Sequence, residues 1–299
     1  MLLSDRKGFI TGSSGFVGKS VLSFFGEDNF QIWKRNKGFE FNGAVSVIHL
    51  AGKAHDLKNT SNPDEYYQVN TELTKTVFDA FIDSDAKVFI TLSSVKAVAD
   101  EVHGELTEEH IPNPITNYGK SKLLAEQYIL SKEIPDGKRV YILRPCMIHG
   151  PGNKGNLNLL YQLVSKGIPW PLGVFENKRS FCSIDNLMFI IKELMDGKDI
   201  PSGIYNIADD SPLSTTDVIS ILAESQNIKP KIWNVSKWLI LSVAKIGNVL
   251  KLPLNEERLQ KLTDSYVVSN QKIKTAIGKP LPVSSKEGLL KTFNSFNNR

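Results

Sequence analysis

The sequence is poor in cysteine, in long hydrophobic runs and in net charge. Its two cysteines, Cys146 and Cys182, are too few for a disulfide framework and suit a reducing cytoplasm. We find no pattern typical of a signal peptide or a membrane span. The formal charge is only +4 and the charged residues are dispersed, which argues against nucleic acid as a partner. We therefore expect a cytoplasmic protein of one or two domains, with no integral membrane segment and no metal site.

A glycine-rich loop follows the first predicted strand. The apolar stretch 7–10 leads into Gly12, Gly15 and Gly18, spaced three apart, and a helical pattern begins at Phe16. Glycine allows a tight turn and close backbone approach, and the free N–H groups of a helix start attract phosphate. Although the spacing differs from G-x-G-x-x-G, its place after a strand predicts a dinucleotide pyrophosphate here. The expected contacts are Gly12, Ser14, Gly15, Phe16, Val17 and Gly18.

A Tyr-x-x-x-Lys spacing occurs twice on one predicted helix, at Tyr118 with Lys122 and at Tyr128 with Lys132. Ten residues of helix rotate the second tyrosine by roughly 80° and carry it about 15 Å away, so only one can serve a given site. Tyr118 lies at the helix start, where a side chain can face the cleft beyond the carboxyl ends of parallel strands. The position therefore favours Tyr118.

Ser94, Tyr118 and Lys122 suit hydride exchange between a dinucleotide and a carbonyl group. A carbonyl that accepts hydride needs a proton donor, whereas a free phenol, with a pKa near 10, is a poor base in the reverse direction. Lys122, one turn on, is expected to favour the phenolate and to hold the nicotinamide ribose. Ser94 is expected to hydrogen-bond the reacting oxygen, although a turn residue after the strand is the alternative interpretation.

The spacing of apolar runs predicts an α/β protein with a doubly wound parallel sheet. Runs at 30–33, 45–50, 88–92 and 140–143 alternate with helical patterns at 64–82 and 117–131. From residue 151 this alternation gives way to loops and helices, with a return strand near 204–208. We predict a dinucleotide-binding domain of residues 1–152 with 180–208, and a smaller, mostly helical domain of 153–179 with 209–299.

The end of the second strand carries Lys34 and Arg35, where an NAD enzyme usually places an acidic residue against the ribose. These cations suit a 2′-phosphate, so the sequence favours NADP(H), with NAD(H) still possible. The alternative is a solvated basic turn. About nine residues separate Arg35 from the next strand, fewer than a parallel crossover usually takes, so we expect the second helix and third strand to be truncated.

Eight segments in order resemble the extended short-chain dehydrogenase/reductase family, in its nucleotide-sugar epimerase, dehydratase and reductase group. They are 11–18, 49–52, 69–70, 92–94, 118–122, 144–145, 149–152 and 179–186. The resemblance implies a Rossmann-like fold, an NAD(P)-dependent enzyme, and Ser94, Tyr118 and Lys122 as its catalytic triad. It also implies that Asn70 supports the nicotinamide side. The loop residues that it places along the cofactor are Leu50, Ala51 and Gly52.

The same resemblance implies a nucleotide-sugar substrate. Family members that eliminate water carry Asp-Glu directly after the serine, whereas Val95 and Lys96 stand here, which argues against a 4,6-dehydratase. Reduction or epimerisation at C4 remains, and the basic end of the second strand favours reduction. Segments 49–55 and 173–180 resemble the subgroup that reduces UDP-4-keto-6-deoxy-N-acetylhexosamines for surface polysaccharides. By resemblance, Arg179 grips the diphosphate. The expected substrate contacts are His55, Ser94, Lys96, His149, Asn156 and Arg179.

Other interpretations stay open. A UDP-hexose 4-epimerase with tightly bound NAD is the nearest alternative, and a non-catalytic NADP-binding sensor is one of another class. His55 could equally be a structural residue, and the loop around His149 and Asn156 an ordinary polar loop. The apolar, lysine-containing stretch 238–252 fits a core helix better than a membrane-surface helix. By resemblance, the helices at 64–82 and 117–131 would form a homodimer.

Overall fold

The computed structural model of the protein describes residues 7–35, 37–41, 43–53, 62–153, 157–250 and 255–297. The predicted substrate residues His55 and Asn156 lie outside the described residues. The strands are β1 (Lys7–Thr11), β2 (Phe30–Ile32), β3 (Ala44–His49), β4 (Val88–Leu92), β5 (Glu105–Leu106), β6 (Arg139–Pro145), β7 (Met147–His149), β8 (Phe181–Ser183), β9 (Gly203–Ile207) and β10 (Val267–Val268). The helices are α1 (Phe16–Phe25), α2 (Pro63–Tyr66), α3 (Leu73–Ile82), α4 (Asn117–Leu130), α5 (Leu157–Ser165), α6 (Ile184–Asp196), α7 (Thr215–Ser225), α8 (Lys237–Leu250), α9 (Glu256–Thr263), α10 (Gln271–Ile277) and α11 (Ser285–Asn297).

Six strands form one parallel sheet in the order β2-β1-β3-β4-β6-β9. The predicted Rossmann-like parallel sheet is therefore confirmed. The strand order reverses between β1 and β3, and a cleft beyond the carboxyl ends of the strands is expected at such a point. The loops that follow β1, β3 and β4 carry the predicted site residues to this edge.

The predicted truncation after the second strand is also confirmed. β2 and β3 are consecutive strands that both pair with β1, so β2 is an edge strand and no helix is present in the described part of their connection. Two aromatic pairs pack this connection against the sheet. The Trp33 and Phe39 rings stack with centroids 5.2 Å apart, and Phe41 meets Phe9 of β1 edge to face at 4.6 Å. This packing replaces the cover that a crossover helix would provide.

A π-helical segment interrupts the single helix predicted at 64–82. α2 continues into the π-helical segment Tyr67–Glu72 and then into α3. The wider turn lets two consecutive buried side chains reach α4. The Asn70 Nδ2 donates to Ser121 Oγ at 3.0 Å, and the Thr71 Oγ1 donates to Ser121 O at 2.8 Å. Tertiary hydrogen bonds therefore accompany the departure from regular α-helix.

Alternate strand residues pack on opposite faces of the sheet, as the period of a β-strand requires. One face buries Ile10, Ile48, Ile90 and Leu143, and the other buries Phe9, Val47, Phe89 and Ile142. A separate cluster joins α5, α7, α8, α9 and α11, whereas Ile273 of α10 packs with the cluster on the sheet. The predicted domain boundaries stay a prediction. In the described part of the chain, no helix is long and apolar enough to cross a bilayer.

Candidate active site at the carboxyl edge of the sheet

Gly12 and Gly18 shape the loop between β1 and α1. Gly12 has a φ of +71°, and a Cβ there would lie 2.5 Å from backbone atoms of Leu50 and Ala51. A Cβ on Gly18 would collide with the carbonyl oxygen of Gly12. The loop therefore requires glycine for a left-handed turn at one position and for close helix packing at the other.

The start of α1 fits an anionic dinucleotide. Gly15 is the N-cap and offers no side-chain acceptor, and the first turn contains no acidic residue. A Cβ on Gly15 would meet only the Gly12 carbonyl oxygen, at 3.3 Å, so the space beyond it is open. Free N–H groups and the positive end of the helix dipole attract a pyrophosphate. The loop residues and the first turn of α1 would hold that group, and a nicotinamide bound there would supply or accept the hydride.

Tyr118 and Ser94 meet at the carboxyl edge of the sheet. Ser94 follows β4 and caps the short 3-10 helix Val95–Ala97, where its Oγ accepts a hydrogen bond from Lys96 N at 3.2 Å. Tyr118 is in the first turn of α4, which Thr116 caps. Burial raises the pKa of Tyr118, and a side-chain hydrogen bond with Ser94 opposes this rise. The phenol is therefore protonated near neutral pH.

The second tyrosine of the repeated spacing points elsewhere. The Tyr128 hydroxyl donates to the two carboxylate oxygens of Asp79 on α3, at 2.8 Å and 2.7 Å. Its ring also contacts Lys75 and Lys132. The helix rotation thus separates Tyr128 from the pair formed by Tyr118 and Ser94.

Lys122 lies one turn into α4 with its ammonium against the end of β4. Its Nζ donates to Leu92 O at 2.8 Å. A Cβ on Gly52 would lie 3.1 Å from this Nζ and 3.1 Å from Asn70 Oδ1, so glycine leaves room for both groups. Burial lowers the pKa of Lys122 to about 8, and the charge of Glu126 opposes this decrease. Lys122 can therefore change its charge just above neutral pH.

Asn70 holds the loop that follows β3 against the helix that carries Tyr118. Its Oδ1 accepts from Lys53 N at 2.7 Å, and its Nδ2 donates to Lys53 O at 3.1 Å and to Ser121 Oγ. The side chain is completely buried. The predicted cofactor loop at 50–52 is thereby fixed at its end to α4.

A directed chain of hydrogen bonds runs through the buried His49. Ala51 N donates to Thr11 Oγ1 at 3.1 Å, and that oxygen lies 2.8 Å from His49 Nδ1. On the other side, His49 Nε2 lies 2.9 Å from Thr74 Oγ1, which donates its hydrogen to Asn70 O at 2.8 Å. Thr74 must therefore accept from Nε2–H, and Thr11 must donate to Nδ1. Burial, with a smaller contribution from the Lys122 charge, lowers the pKa of His49 to about 3, consistent with this neutral tautomer.

A buried ion pair lies behind Lys122. Arg144 donates to both carboxylate oxygens of Glu126, from Nε at 3.0 Å and from Nη2 at 2.5 Å, and Ser93 also donates to this carboxylate. A pocket of about 10 Å³ is lined by Lys122 and Glu126, with Thr91 and Ser93 also in its wall. This volume holds about one water molecule. The Glu126 carboxylate, paired with Arg144, therefore lies one helical turn after Lys122 on α4.

Lys96 and Arg179 lie close enough to interact, and Tyr266 adjoins both of them. The Lys96 Nζ lies 4.4 Å from the ring centroid, and the Arg179 guanidinium donates to Lys261 O. Burial lowers the pKa of Lys96, and so do the nearby charges of Arg179 and Lys261, whereas Asp100 and Glu101 raise it. We call Lys96, Arg179 and Lys261 the cationic cluster. Its mutual repulsion favours an anionic ligand.

Lys34 and Arg35 lie in an exposed turn directly after β2. The strand pairing extends to Trp33, whose N donates to Ile10 O at 2.9 Å, and Lys37 N closes the turn by donating to Lys34 O at 3.2 Å. Because β2 is the neighbour of β1, this turn lies on the same edge of the sheet as the glycine loop. No carboxylate occurs between Trp33 and Lys37.

His149 lies in the protein interior, where the sequence led us to expect a substrate contact. Its side chain has no exposed surface, and its Nδ1 lies 2.9 Å from Thr292 Oγ1 of α11. Because Thr292 donates its own hydrogen to Gly288 O, it accepts from His149. Nε2 faces Asp209 at 3.5 Å. His149 therefore packs between β7 and α11, and its expected contact with the substrate stays a prediction.

Sequence reasoning assigned no role to several residues that hold this site. A signal was present for Glu126, which stands four residues after Lys122 and therefore on the same helix face. Thr11 and His49 end adjacent parallel strands, which predicts that they are neighbours but not that they are bonded. Tyr266 had no local signal.

A family model described as the NAD dependent epimerase/dehydratase family matches residues 34–208. The chain is 29% identical over 343 aligned positions to a UDP-glucose 4-epimerase of Vibrio cholerae, covering 100% of each protein. It is 24% identical to a GDP-6-deoxy-D-mannose reductase of Pseudomonas aeruginosa, covering 75% of this chain and 81% of that enzyme. The structure of RMD from Pseudomonas aeruginosa complexed with NADPH is similar in fold, with a TM-score of 0.72, 21% identity, and coverage of 98% of this chain and 100% of that one.

Proposed function

Because the chain belongs to the NAD dependent epimerase/dehydratase family of enzymes, we propose that it reduces the 4-keto group of a UDP-4-keto-6-deoxy-N-acetylhexosamine with NADPH. Such a reaction would serve the synthesis of surface polysaccharides. The observation that carries the choice of reduction is the exposed turn with Lys34 and Arg35 at the ribose end of the predicted dinucleotide site. Two cations without a carboxylate favour a 2′-phosphate, and an NADPH enzyme exchanges its cofactor at every turnover.

The proton for the new hydroxyl comes from Tyr118 in this proposal. The phenol is protonated in the free protein, and its side-chain hydrogen bond with Ser94 supports a role for the two groups at one substrate oxygen. Ser94 orients the carbonyl oxygen while Tyr118 donates to it. The Lys122 ammonium then stabilises the phenolate that is left, because opposite charges at short range favour the ionised form.

The residues that follow Ser94 argue against elimination of water. Val95 is buried, and the Lys96 Nζ donates to Asp100 O while it lies over Tyr266. Neither can act as the carboxyl pair that a 4,6-dehydratase would use at these positions. The cationic cluster would instead hold the diphosphate of the nucleotide sugar, with Arg179 and Lys96 as its charged contacts.

A second candidate is epimerisation at C4 of a UDP-hexose with retained NAD. It is favoured by the similarity to the Vibrio cholerae epimerase, which extends over the whole of both proteins. An epimerase returns the hydride to the other face of the same sugar, so it consumes no dinucleotide. Tight retention of NAD during purification would be its signature.

The test is an assay of NADPH and of NADH oxidation with a dehydratase-generated UDP-4-keto-6-deoxy-N-acetylhexosamine, followed by analysis of the sugar. We expect one NADPH to be consumed for each 6-deoxyhexosamine formed, with NADH as a poorer donor. Interconversion of UDP-hexoses without consumption of dinucleotide would show that the protein is an epimerase and not a reductase. Binding of NADPH without any turnover would favour the sensor.

A further inference from the structure

The helix α8 presents an uncovered apolar surface that the proposed reaction does not use. Between Lys237 and Ile246, only Ile240 and Ala244 are buried, four residues apart on the side that faces α9. Trp238 is 68% exposed and Ile246 is 53% exposed. Over residues 237–246 of this helix, the exposed apolar side chains are Trp238, Leu239, Leu241, Val243 and Ile246. A helix that is apolar nearly all round requires a cover on its outer side.

The charge of the surrounding chain indicates what that cover is. Residues 225–255 contain no Asp or Glu but five lysines, Lys229, Lys231, Lys237, Lys245 and Lys251. The first four are within the described residues and all are exposed. Long lysine side chains extend from an apolar surface to lipid headgroups, and each contributes attraction to an anionic membrane. A second copy of the chain would bring two such cationic faces together, which like-charge repulsion opposes.

Two exposed tryptophans, Trp233 and Trp238, lie where a helix at a membrane–water interface would need them. Trp233 precedes α8 and is 58% exposed. Its backbone is fixed to the body of the protein, because Trp233 N donates to Trp170 O at 2.8 Å and Trp170 N donates to Lys231 O at 2.7 Å. Tryptophan rings favour the level of the headgroups, where the ring is apolar and the indole N–H is hydrated.

The geometry points to α8, with Trp233 before it, as a docking surface for the face of an anionic lipid bilayer. A helix of 14 residues is shorter than the roughly 20 that a span requires, so it would lie in the plane of the interface. α8 packs on α9, and Lys261 of α9 accepts the hydrogen bond from Arg179. The inference is independent of the reaction, since lipid binding is measured without substrate.

The experiment is co-sedimentation of the full chain with vesicles of phosphatidylcholine alone and of phosphatidylcholine mixed equally with phosphatidylglycerol. We expect binding to the anionic vesicles only, weakened by salt. Trp238→Glu and Lys245→Glu should each lower the partition coefficient by about tenfold. The matched controls are Ile111→Glu, at an apolar side chain that is 90% exposed, and Lys198→Glu, and neither should change binding.

The folded state of each variant is checked by circular dichroism and by its NADPH affinity. If wild type does not sediment with anionic vesicles, the docking surface is wrong. Equal sedimentation of wild type, Trp238→Glu and Lys245→Glu would also overturn it. A dimer that Trp238→Glu dissociates, without any vesicle binding, would assign the surface to a second copy instead.

Discussion

Lys122 and Glu126 stand one turn apart on α4, and both line a pocket of about 10 Å³. Glu126 is held by Arg144 and Ser93, so its charge is fixed where it acts on the Lys122 ammonium. Burial alone would lower the pKa of Lys122 further than the value of about 8 that it has beside Glu126. Glu126 is therefore a positioning residue that keeps the ammonium charged near neutral pH.

The pH dependence of reduction should follow Lys122. In the proposed reaction the ammonium stabilises the phenolate, so kcat/KM should fall as pH rises through about 8. Glu126→Leu combined with Arg144→Met removes the carboxylate without leaving an unpaired buried charge. This double variant should move the decline in kcat/KM to lower pH. A profile identical to that of wild type would show that Glu126 does not raise the pKa of Lys122.

Acid should destabilise the fold through His49. Its pKa is 6.5 when free and about 3 when folded, so between these values only the unfolded state binds the proton. The contribution of neutral His49 to the free energy of unfolding is therefore fully present above pH 6.5 and is lost as pH falls toward 3. His49→Gln should lose about 1–3 kcal/mol at neutral pH and show a weaker loss toward acid.

Urea unfolding of wild type and of His49→Gln at pH 7 and pH 5 measures the difference in their free energies of unfolding. The two proteins carry the same carboxylates, so the effects of those groups cancel. A constant difference between wild type and His49→Gln at the two pH values would show that the imidazole does not titrate as described.

The proposed preference for NADPH should depend on Arg35. Arg35→Asp should weaken NADPH binding by on the order of tenfold and leave NADH binding equal or tighter, because the new carboxylate repels a 2′-phosphate and accepts from a ribose hydroxyl. Titration of both dinucleotides measures this preference, with Lys198→Asp as a control of equal charge change. If the ratio of the NADPH and NADH affinities is unchanged, Arg35 does not contact the 2′-phosphate of the cofactor.

Gly18 should tolerate no side chain. Gly18→Ala places a Cβ against the Gly12 carbonyl, so we expect a loss of about 1–3 kcal/mol in the free energy of unfolding and weaker NADPH binding. Gly38→Ala is the control, because nothing lies within 4 Å of a Cβ there. Equal thermal midpoints for the two variants would contradict the close packing of the loop on α1.

The sequence predicts those parts of the fold whose signals are local. The apolar period of the strands, the prolines before α4 and the rotation between Tyr118 and Tyr128 were sufficient to predict the sheet and to select one tyrosine. The buried environment of His149 was not predictable, because it comes from α11, more than a hundred residues later.

The residues that hold the site in place were also not predictable, because their contacts join residues that are far apart in the sequence. His49 joins Thr11 and Thr74, which are 38 and 25 residues away, through side-chain geometry that no sequence period encodes. The π-helical segment accompanies contacts with α4, whereas local propensity indicates an ordinary helix.

The most direct test of the account is the single-turnover rate of hydride transfer from NADPH to the 4-keto sugar nucleotide in wild type, Tyr118→Phe and Tyr128→Phe. Loss of the proton donor should slow Tyr118→Phe by about a hundredfold or more, while Tyr128→Phe, which loses only its bond to Asp79, keeps a rate near that of wild type. A Tyr118→Phe rate equal to that of wild type would contradict the account.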